Sequence, residues 1–422
     1  MNPRLAALAL AGFLLFALSQ AWRSGGNVPP EESLDSVAGF ELTTNRYAKR
    51  ERRADLWRWP VASHTDPSLA GDKNRTTGAT KQANAVTVLR TNATSRIANE
   101  LVVTLPAGAK IQDLLNVLGG DVELVASMHN QHAHRLRFAD AASADAAQAL
   151  LDASTSLGTA DSNYRMDMPP PEGASSEKMG VKQPLRVNST QTDGYIIVGL
   201  VDSTVQLQGT AVDDYLLPGI SVAEGPAGGD SLSHGTSMAA SIVQGLSLTA
   251  DGQKSSSVKI LPVDVYGAQE STTTFQVAEG IAAAIESGAN IINLSLGSDG
   301  DSALLRQVIQ DGHSQGVIFL GAAGNEPVTT PMYPAAYSEV IAVTATDYQG
   351  NIASYANYGE FVDVGTPGSV IVEFNGRQYL VSGTSASTAL ASGIAAGYSE
   401  WNVAKPTEAE AAVRSVLGMQ TQ

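Results

Sequence analysis

Residues 196–201, IIVGLV, followed at once by Asp202, decide how the rest of the chain is read. Six residues without a polar side chain, and without polar alternation, mark a strand buried on both faces. Similar runs recur at 258–263 (VKILPV), 290–294 (NIINL), 317–320 (VIFL) and 340–343 (VIAV). Helical stretches separate them, such as 274–287, where Val277, Ile281 and Ile285 return at helical spacing. Apolar strands alternating with helices predict an α/β domain: a doubly wound, mostly parallel sheet with helices on both faces. In such sheets chemistry gathers beyond the carboxyl ends of the strands, and Asp202 stands at one.

Upstream, ELVVTL at 100–105 reads as a strand, 110–118 as a helix and 122–127 as a second strand. A strand at 134–138, a helix at 144–153 and an extended stretch at 160–168 repeat the pattern. Strand, helix, strand, strand, helix, strand predicts a small α+β ferredoxin-like unit over 96–168. Pro169-Pro170-Pro171 stops it, and 169–186 reads as a linker before a domain spanning 187–422. Residues 1–21 carry Arg4, an apolar run from Leu5 to Leu18 and Ser19-Gln20-Ala21, the layout of a cleavable signal peptide. An uncleaved membrane anchor is the second choice, since the run is shorter than the roughly 20 residues a span needs. The expected location is secreted or periplasmic, with a tethered form second. Residues 22–95 are polar and interrupted by Pro and Gly, and read as a mostly disordered spacer. Its basic knot, Lys49, Arg50, Arg52 and Arg53, is either a solvated charge cluster or a processing site.

Composition narrows the function. A formal net charge of -16 over 422 residues argues against nucleic acid or an anionic membrane as main partner, because both require a basic face. The absence of cysteine excludes disulfides, thiolate metal sites and a thiol nucleophile. A nucleophile, if there is one, is a hydroxyl, an amine or a carboxylate.

Four positions gather the groups that acyl transfer requires. Asp202 follows IIVGLV, His234 opens HGTSMAAS, Asn325 lies in GAAGNE directly after a strand, and Ser385 lies in GTSASTALASG. Taken singly, each also fits a helix cap or a turn. Together they offer a hydroxyl nucleophile, an imidazole to take its proton, a carboxylate to orient the imidazole, and an amide to receive the oxyanion. Gly-Thr-Ser occurs twice. Ser237 lies one helical turn beyond His234, but choosing it leaves Ser385 and its small-residue helix unexplained.

The ordered series VGLVDST, HGTSMAA, NLSLG, GAAGNE, YPAAYSEVIAVTATDYQGNIASYANYG, TPG and GTSASTALASG, between Tyr195 and Ala396, resembles the subtilisin-like serine proteases. The resemblance implies a subtilisin-like fold and an endopeptidase in which Asp202 orients, His234 is general acid and base, Ser385 attacks and Asn325 donates to the oxyanion. The chain order and the oxyanion asparagine follow the general pattern of subtilisin itself. It also implies that 96–168 is a propeptide that assists folding, inhibits, and is cut off by the enzyme between Met168 and Asn188. The expected partners are polypeptide substrates held extended and the chain's own propeptide, with the enzyme a monomer. The chain departs from the family pattern at Thr204, where glycine is usual, at Ala386 and Ala389, in place of Met and Pro, and at Ser237 and Ala240, in place of His and Gly.

By the same resemblance Ser295, Leu296 and Gly297 pair with the substrate backbone, and Ala322, Ala323 and Gly324 wall the main side-chain pocket. Met332 falls where a glycine often leaves the pocket floor open. A shallow pocket for small or medium apolar residues follows, unless the shortened loop carries Met332 away. No cofactor and no metal are expected. Thr249-Ala250-Asp251-Gly252 offers one carboxylate, and Asp301 reads as a cap for the helix beginning at Ser302. His129, His132 and His134 read as a polar turn entering a strand, with metal binding or pH sensing as the alternative. The competing function is a catalytically idle binding or chaperone protein on the same scaffold.

Overall fold

The computed structural model describes residues 95–169, 173–174, 186–187 and 196–418, apart from short stretches at 224, 226–228, 230, 251–254 and 403–405. The described residues belong to one compact unit, Ser63–Gln422. The expected signal peptide, nearly all of the spacer and most of the linker lie outside them.

Seven parallel strands form the main sheet, in the order Val364–Pro367, Val340–Thr346, Ile318–Ala322, Ile291–Leu294, Ile197–Asp202, Lys259–Asp264, Ile220–Ser221. The strand Ile197–Asp202 is buried at every position and lies inside the sheet, next to its middle strand. Helices cover both faces. His234–Thr249 and Thr384–Asn402 pack with Ile242, Leu246, Leu390 and Ile394 toward one face. Thr274–Glu286 and Ala303–Ser314 cover the other through Phe275, Ile281, Leu305 and Ile309.

Glycine decides how closely the first helix pair can approach. A Cβ at Gly245 would stand 2.1 Å from the Leu390 carbonyl oxygen, and one at Gly393 would stand 1.9 Å from that of Ile242. Backbone meets backbone, so no side chain fits between. Further along, Gly397 faces the Thr249 side chain. His234 starts its helix against Asp202, and Ser385 starts its own against Ser295, at the carboxyl ends of two adjacent parallel strands, so both N-termini emerge at one end of the sheet.

Residues 96–167 form the expected βαββαβ unit: strands Arg96–Thr104, Glu123–Met128, Ala133–Arg137 and Thr159–Asp167, with helices Ile111–Leu118 and Ala141–Ala153. The strands are antiparallel in the spatial order fourth, first, third, second, as in a ferredoxin-like sheet. One face is closed by its own helices through Leu101, Val103, Leu136 and Leu151. The other, with Val102, Met128, Ala133 and Met166, joins the apolar layer of the Thr274 and Ala303 helices.

Polar atoms hold this junction as well. Asn163 Oδ1 accepts from the Phe275 amide at 3.2 Å and from Thr274 Oγ1 at 3.0 Å. Asp161 Oδ2 accepts from the Ala303 amide at 2.6 Å and from Ser302 Oγ at 3.0 Å. Two side chains of one strand thus satisfy the open N-termini of two helices. Burial pushes the Asp161 carboxyl up, against these hydrogen bonds. Behind Asn163, Glu100 accepts from Asn163, Arg135 and Arg137. Burial raises the Glu100 carboxyl, but these donors outweigh it and hold it below its usual range.

The cap assignment at Asp301 is corrected here. Ser302 caps the helix, accepting from the Leu305 amide at 3.4 Å, while Asp301 pairs with Arg306. The chain turns into its helix one residue later than the sequence suggests, so Ser302 occupies the extended position a cap requires.

A feature invisible in the sequence completes the junction. Ser271–Thr273 pairs antiparallel with Asp167, Met166 and Arg165, and the Met168 amide donates to the Glu270 carbonyl at 2.8 Å. The larger domain thus supplies a fifth strand to the N-terminal sheet. Further along, Gly173–Ala174 pairs with Leu380 and Tyr379, in the strand that leads to Ser385.

Candidate active site

Asp202 ends the strand Ile197–Asp202 and is 1% exposed. Its Oδ1 lies 2.8 Å from His234 Nδ1 and also accepts from the Ser203 amide at 2.7 Å. Ser203 Oγ donates to the same oxygen at 3.3 Å and accepts from the Gly235 amide at 3.0 Å. Gly235 must be glycine, since a Cβ there would stand 2.1 Å from the Ser203 carbonyl oxygen. The carboxylate and the imidazole are thus fixed by strand end and helix start together. Such a pair sets the imidazole tautomer and stabilises its charged form.

The approach to His234 is braced. Ser233 caps the helix, accepting from the Thr236 amide at 3.1 Å. Gln206 Oε1 accepts from the Ser233 amide and Thr236 Oγ1, and its Nε2 donates to the carbonyls of Gly229 and Ser231.

Ser385 occupies the first turn of the Thr384–Asn402 helix. Its hydroxyl donates to the Ser295 carbonyl at 3.2 Å, and Ser295 Oγ donates back to the Ser385 carbonyl at 3.1 Å. Asn293 supports this exchange, with Nδ2 on Ser295 Oγ at 2.9 Å and Oδ1 accepting from Ser392 at 2.9 Å. Asn325 Oδ1 accepts from the Thr384 amide at 2.9 Å and its hydroxyl at 3.0 Å. That fixes the amide orientation and commits Oδ1, leaving Nδ2 as the donor available to another acceptor. Gly383 beside it has φ 149°, and a Cβ there would approach Asn325 Nδ2 to 3.2 Å.

The structure therefore forms two clusters, Asp202 with His234, and Ser385 with Ser295 and Asn325. The parallel helix pair joins them, since His234 and Ser385 begin its two members. Ser237 belongs to neither. It is fully buried and donates to the Ser233 carbonyl at 3.1 Å.

Of the expected substrate contacts, Leu296 is buried in the apolar layer beneath, and a Cβ at Gly297 would stand 3.1 Å from the Tyr333 carbonyl oxygen. Ala322 and Ala323 are buried at the end of their strand. Gly324 has φ 110°, with the Asn357 side-chain Nδ2 2.6 Å from where a Cβ would stand. Met332 is half-buried, one residue before Tyr333, which exchanges backbone hydrogen bonds with Ser298. Among the described residues no cluster of three metal-ligating side chains occurs. The residues that sequence reading missed are Ser203, Gln206, Ser233, Asn293, Asn357 and Thr384. Each is a polar residue type common in turns, and only Ser233, next before a helical run, carried a readable cap signal.

Residues 196–420 match the model of the subtilase family, Peptidase S8, and the chain belongs to that family. M-protease of Shouchella clausii is 32% identical over 219 residues, covering 51% of this chain and 57% of that protein. Subtilisin Savinase of Lederbergia lenta is 32% identical over 219 residues, covering 51% of this chain and 80% of that protein. The chain thus spans a little over half the length of the first relative and most of the second. The solved epidermin leader peptide processing serine protease of Staphylococcus aureus is alike in fold, with TM-score 0.55 at 15% identity, over 74% of this chain and 91% of that one.

Proposed function

We propose that the chain is an exported serine endopeptidase made as a self-processed precursor. The observation that carries this reading is the buried 2.8 Å contact of Asp202 and His234 at the carboxyl end of the strand Ile197–Asp202. In the proposed reaction His234 takes the proton of Ser385 Oγ, which attacks the substrate carbonyl. Asn325 Nδ2 donates to the oxyanion, and His234 returns the proton to the leaving amine. Water then cleaves the acyl-enzyme by the same steps. A turn about one side-chain bond redirects the Ser385 hydroxyl from the Ser295 carbonyl.

The substrate is an extended polypeptide. Ser295, Leu296 and Gly297 face it on one side, and the edge strand Ser271–Thr273, now paired with Arg165–Asp167, accepts it on the other. Ala322, Ala323, Gly324 and Met332 bound a pocket for small or medium apolar side chains. The unit at 96–168 acts as propeptide: it covers the edge strand and caps two helices of the enzyme. Arg4 and the apolar run Leu5 to Leu18 support export. No described helix is long and apolar enough to cross a membrane.

The test is expression of wild type and Ser385→Ala, with intact mass and casein hydrolysis as readouts. The wild type is expected to be cut between Met168 and Asn188 and to hydrolyse casein, whereas the variant does neither. The expected loss in kcat is on the order of 10⁶. Normal cutting in the variant sinks self-processing, and unchanged hydrolysis sinks the triad.

A further inference from the structure

We infer that Thr204 and Asp264 are positioning residues for the Asp202–His234 pair, an inference that rests on the function just proposed. The family pattern has glycine where this chain has Thr204, so a side chain has been added next to the catalytic strand end.

That side chain is engaged. Thr204 Oγ1 donates to Asp264 Oδ2 at 2.6 Å. Asp264 ends the neighbouring parallel strand, in register with Asp202, and is 7% exposed. A carboxylate so buried is costly unless its oxygens are satisfied. Its other oxygen, Oδ1, accepts from the amides of Tyr266 at 3.0 Å and Gly267 at 2.9 Å. Asp264 is thus anchored to its own turn and holds Thr204 as a fixed point.

From Thr204 the connection runs directly to the imidazole. The Thr204 carbonyl accepts from Ser233 Oγ at 2.7 Å, and Ser233 caps the helix that His234 begins. The preceding residue, Ser203, bonds both Asp202 Oδ1 and the Gly235 amide. The loop held by Asp264 therefore touches the catalytic carboxylate on one side and the helix start on the other. A glycine at 204 would leave that loop without its side-chain tie to the neighbouring strand end. In this chain the second strand end fixes the distance between the first strand end and the helix.

The experiment measures kcat and KM per active serine, titrated with a fluorophosphonate so that only folded sites are counted. Thr204→Val, which removes one oxygen at nearly constant volume, and Asp264→Ala are each expected to lower kcat about tenfold at unchanged KM. That is a fraction of the roughly hundredfold that a displacement of about 1 Å costs. Thr204→Ser, which keeps the donor, is expected to stay within about twofold of wild type. Wild-type kcat per titrated site in Thr204→Val overturns the inference, even if its thermal stability falls. Should Asp264→Ala yield no titratable enzyme, Thr204→Val decides alone. A wild type without Ser385-dependent hydrolysis is a different outcome, which overturns the proposed function and this inference with it.

Discussion

The two faces of the central sheet are finished in different ways. On one, the His234 and Thr384 helices meet backbone to backbone through Gly245 and Gly393, and among the described residues the apolar core on that side is drawn from the larger domain. On the other, the first amides of the Thr274 and Ala303 helices also donate to Asn163 and Asp161, side chains of the N-terminal unit. The face that carries the proposed catalytic residues is closed by the domain itself. The opposite face is completed by a unit that, in the proposed function, is later removed. Permanent geometry and removable support are thus separated by one layer of sheet.

The largest expected effect breaks the first face. Gly245→Val sets a branched side chain against the Leu390 carbonyl and is expected to cost at least about 3 kcal/mol, at the upper end for overpacking. Urea unfolding in a Ser385→Ala background measures it, and a loss below about 1 kcal/mol would mean that the helices can part without penalty. Next comes the second face. Asp161→Ala with Asn163→Ala removes one auxiliary capping contact of about 1 kcal/mol from each helix, so hydrogen exchange at the Ala303 and Phe275 amides is expected to quicken roughly fivefold. Unfolding of the larger domain should be untouched, and a shift there would show that the caps are not removable support.

A third test uses pH. His134 is buried between strands beside Ser127, and burial, then the charges of His129 and His132, hold its imidazole below the usual value of 6.5. Below that value the unfolded unit takes up a proton that the folded one resists. The N-terminal unit is therefore expected to lose stability as pH falls through about 6.5. Asp161 acts in the opposite sense, since its raised carboxyl favours the docked form as pH falls. Exchange protection across 96–168 in full-length Ser385→Ala, with and without His134→Gln, separates the two. A pH dependence unchanged by His134→Gln refutes the assignment. The smallest effect concerns the pocket. Met332→Gly is expected to raise cleavage after Phe and Tyr relative to Ala and Val by about tenfold at most, read from a peptide library.

Much of this was legible in the sequence because it is written in local patterns. The run IIVGLV predicts a buried strand, and the strand Ile197–Asp202 is buried at every position. The βαββαβ order over 96–168 likewise follows from alternation and helical spacing. Candidate site residues could be named because each lies in a short motif at a strand end or helix start. What escaped was contact across long separations. Asp161 and Ala303 are 142 residues apart, and the strand Ser271–Thr273 exists only because Arg165–Asp167 lies beside it. Thr204 could be flagged as a departure, but its partner Asp264 becomes visible only once two strands stand in register. Asp301 was misjudged because a carboxylate and a serine side by side are both good caps, and only the backbone turn chooses between them.

The strand Ser271–Thr273 has one further consequence. An uncovered sheet edge is a template for any extended chain, including another copy of itself. While the N-terminal strand lies on it, the newly made protein carries no such adhesive seam there. Once the proposed processing removes that strand, the surface proposed to grip substrate is also the one most prone to self-association. Precursor and processed enzyme should therefore differ in colloidal behaviour, with the shorter form clumping at lower concentration unless a peptide occupies the edge.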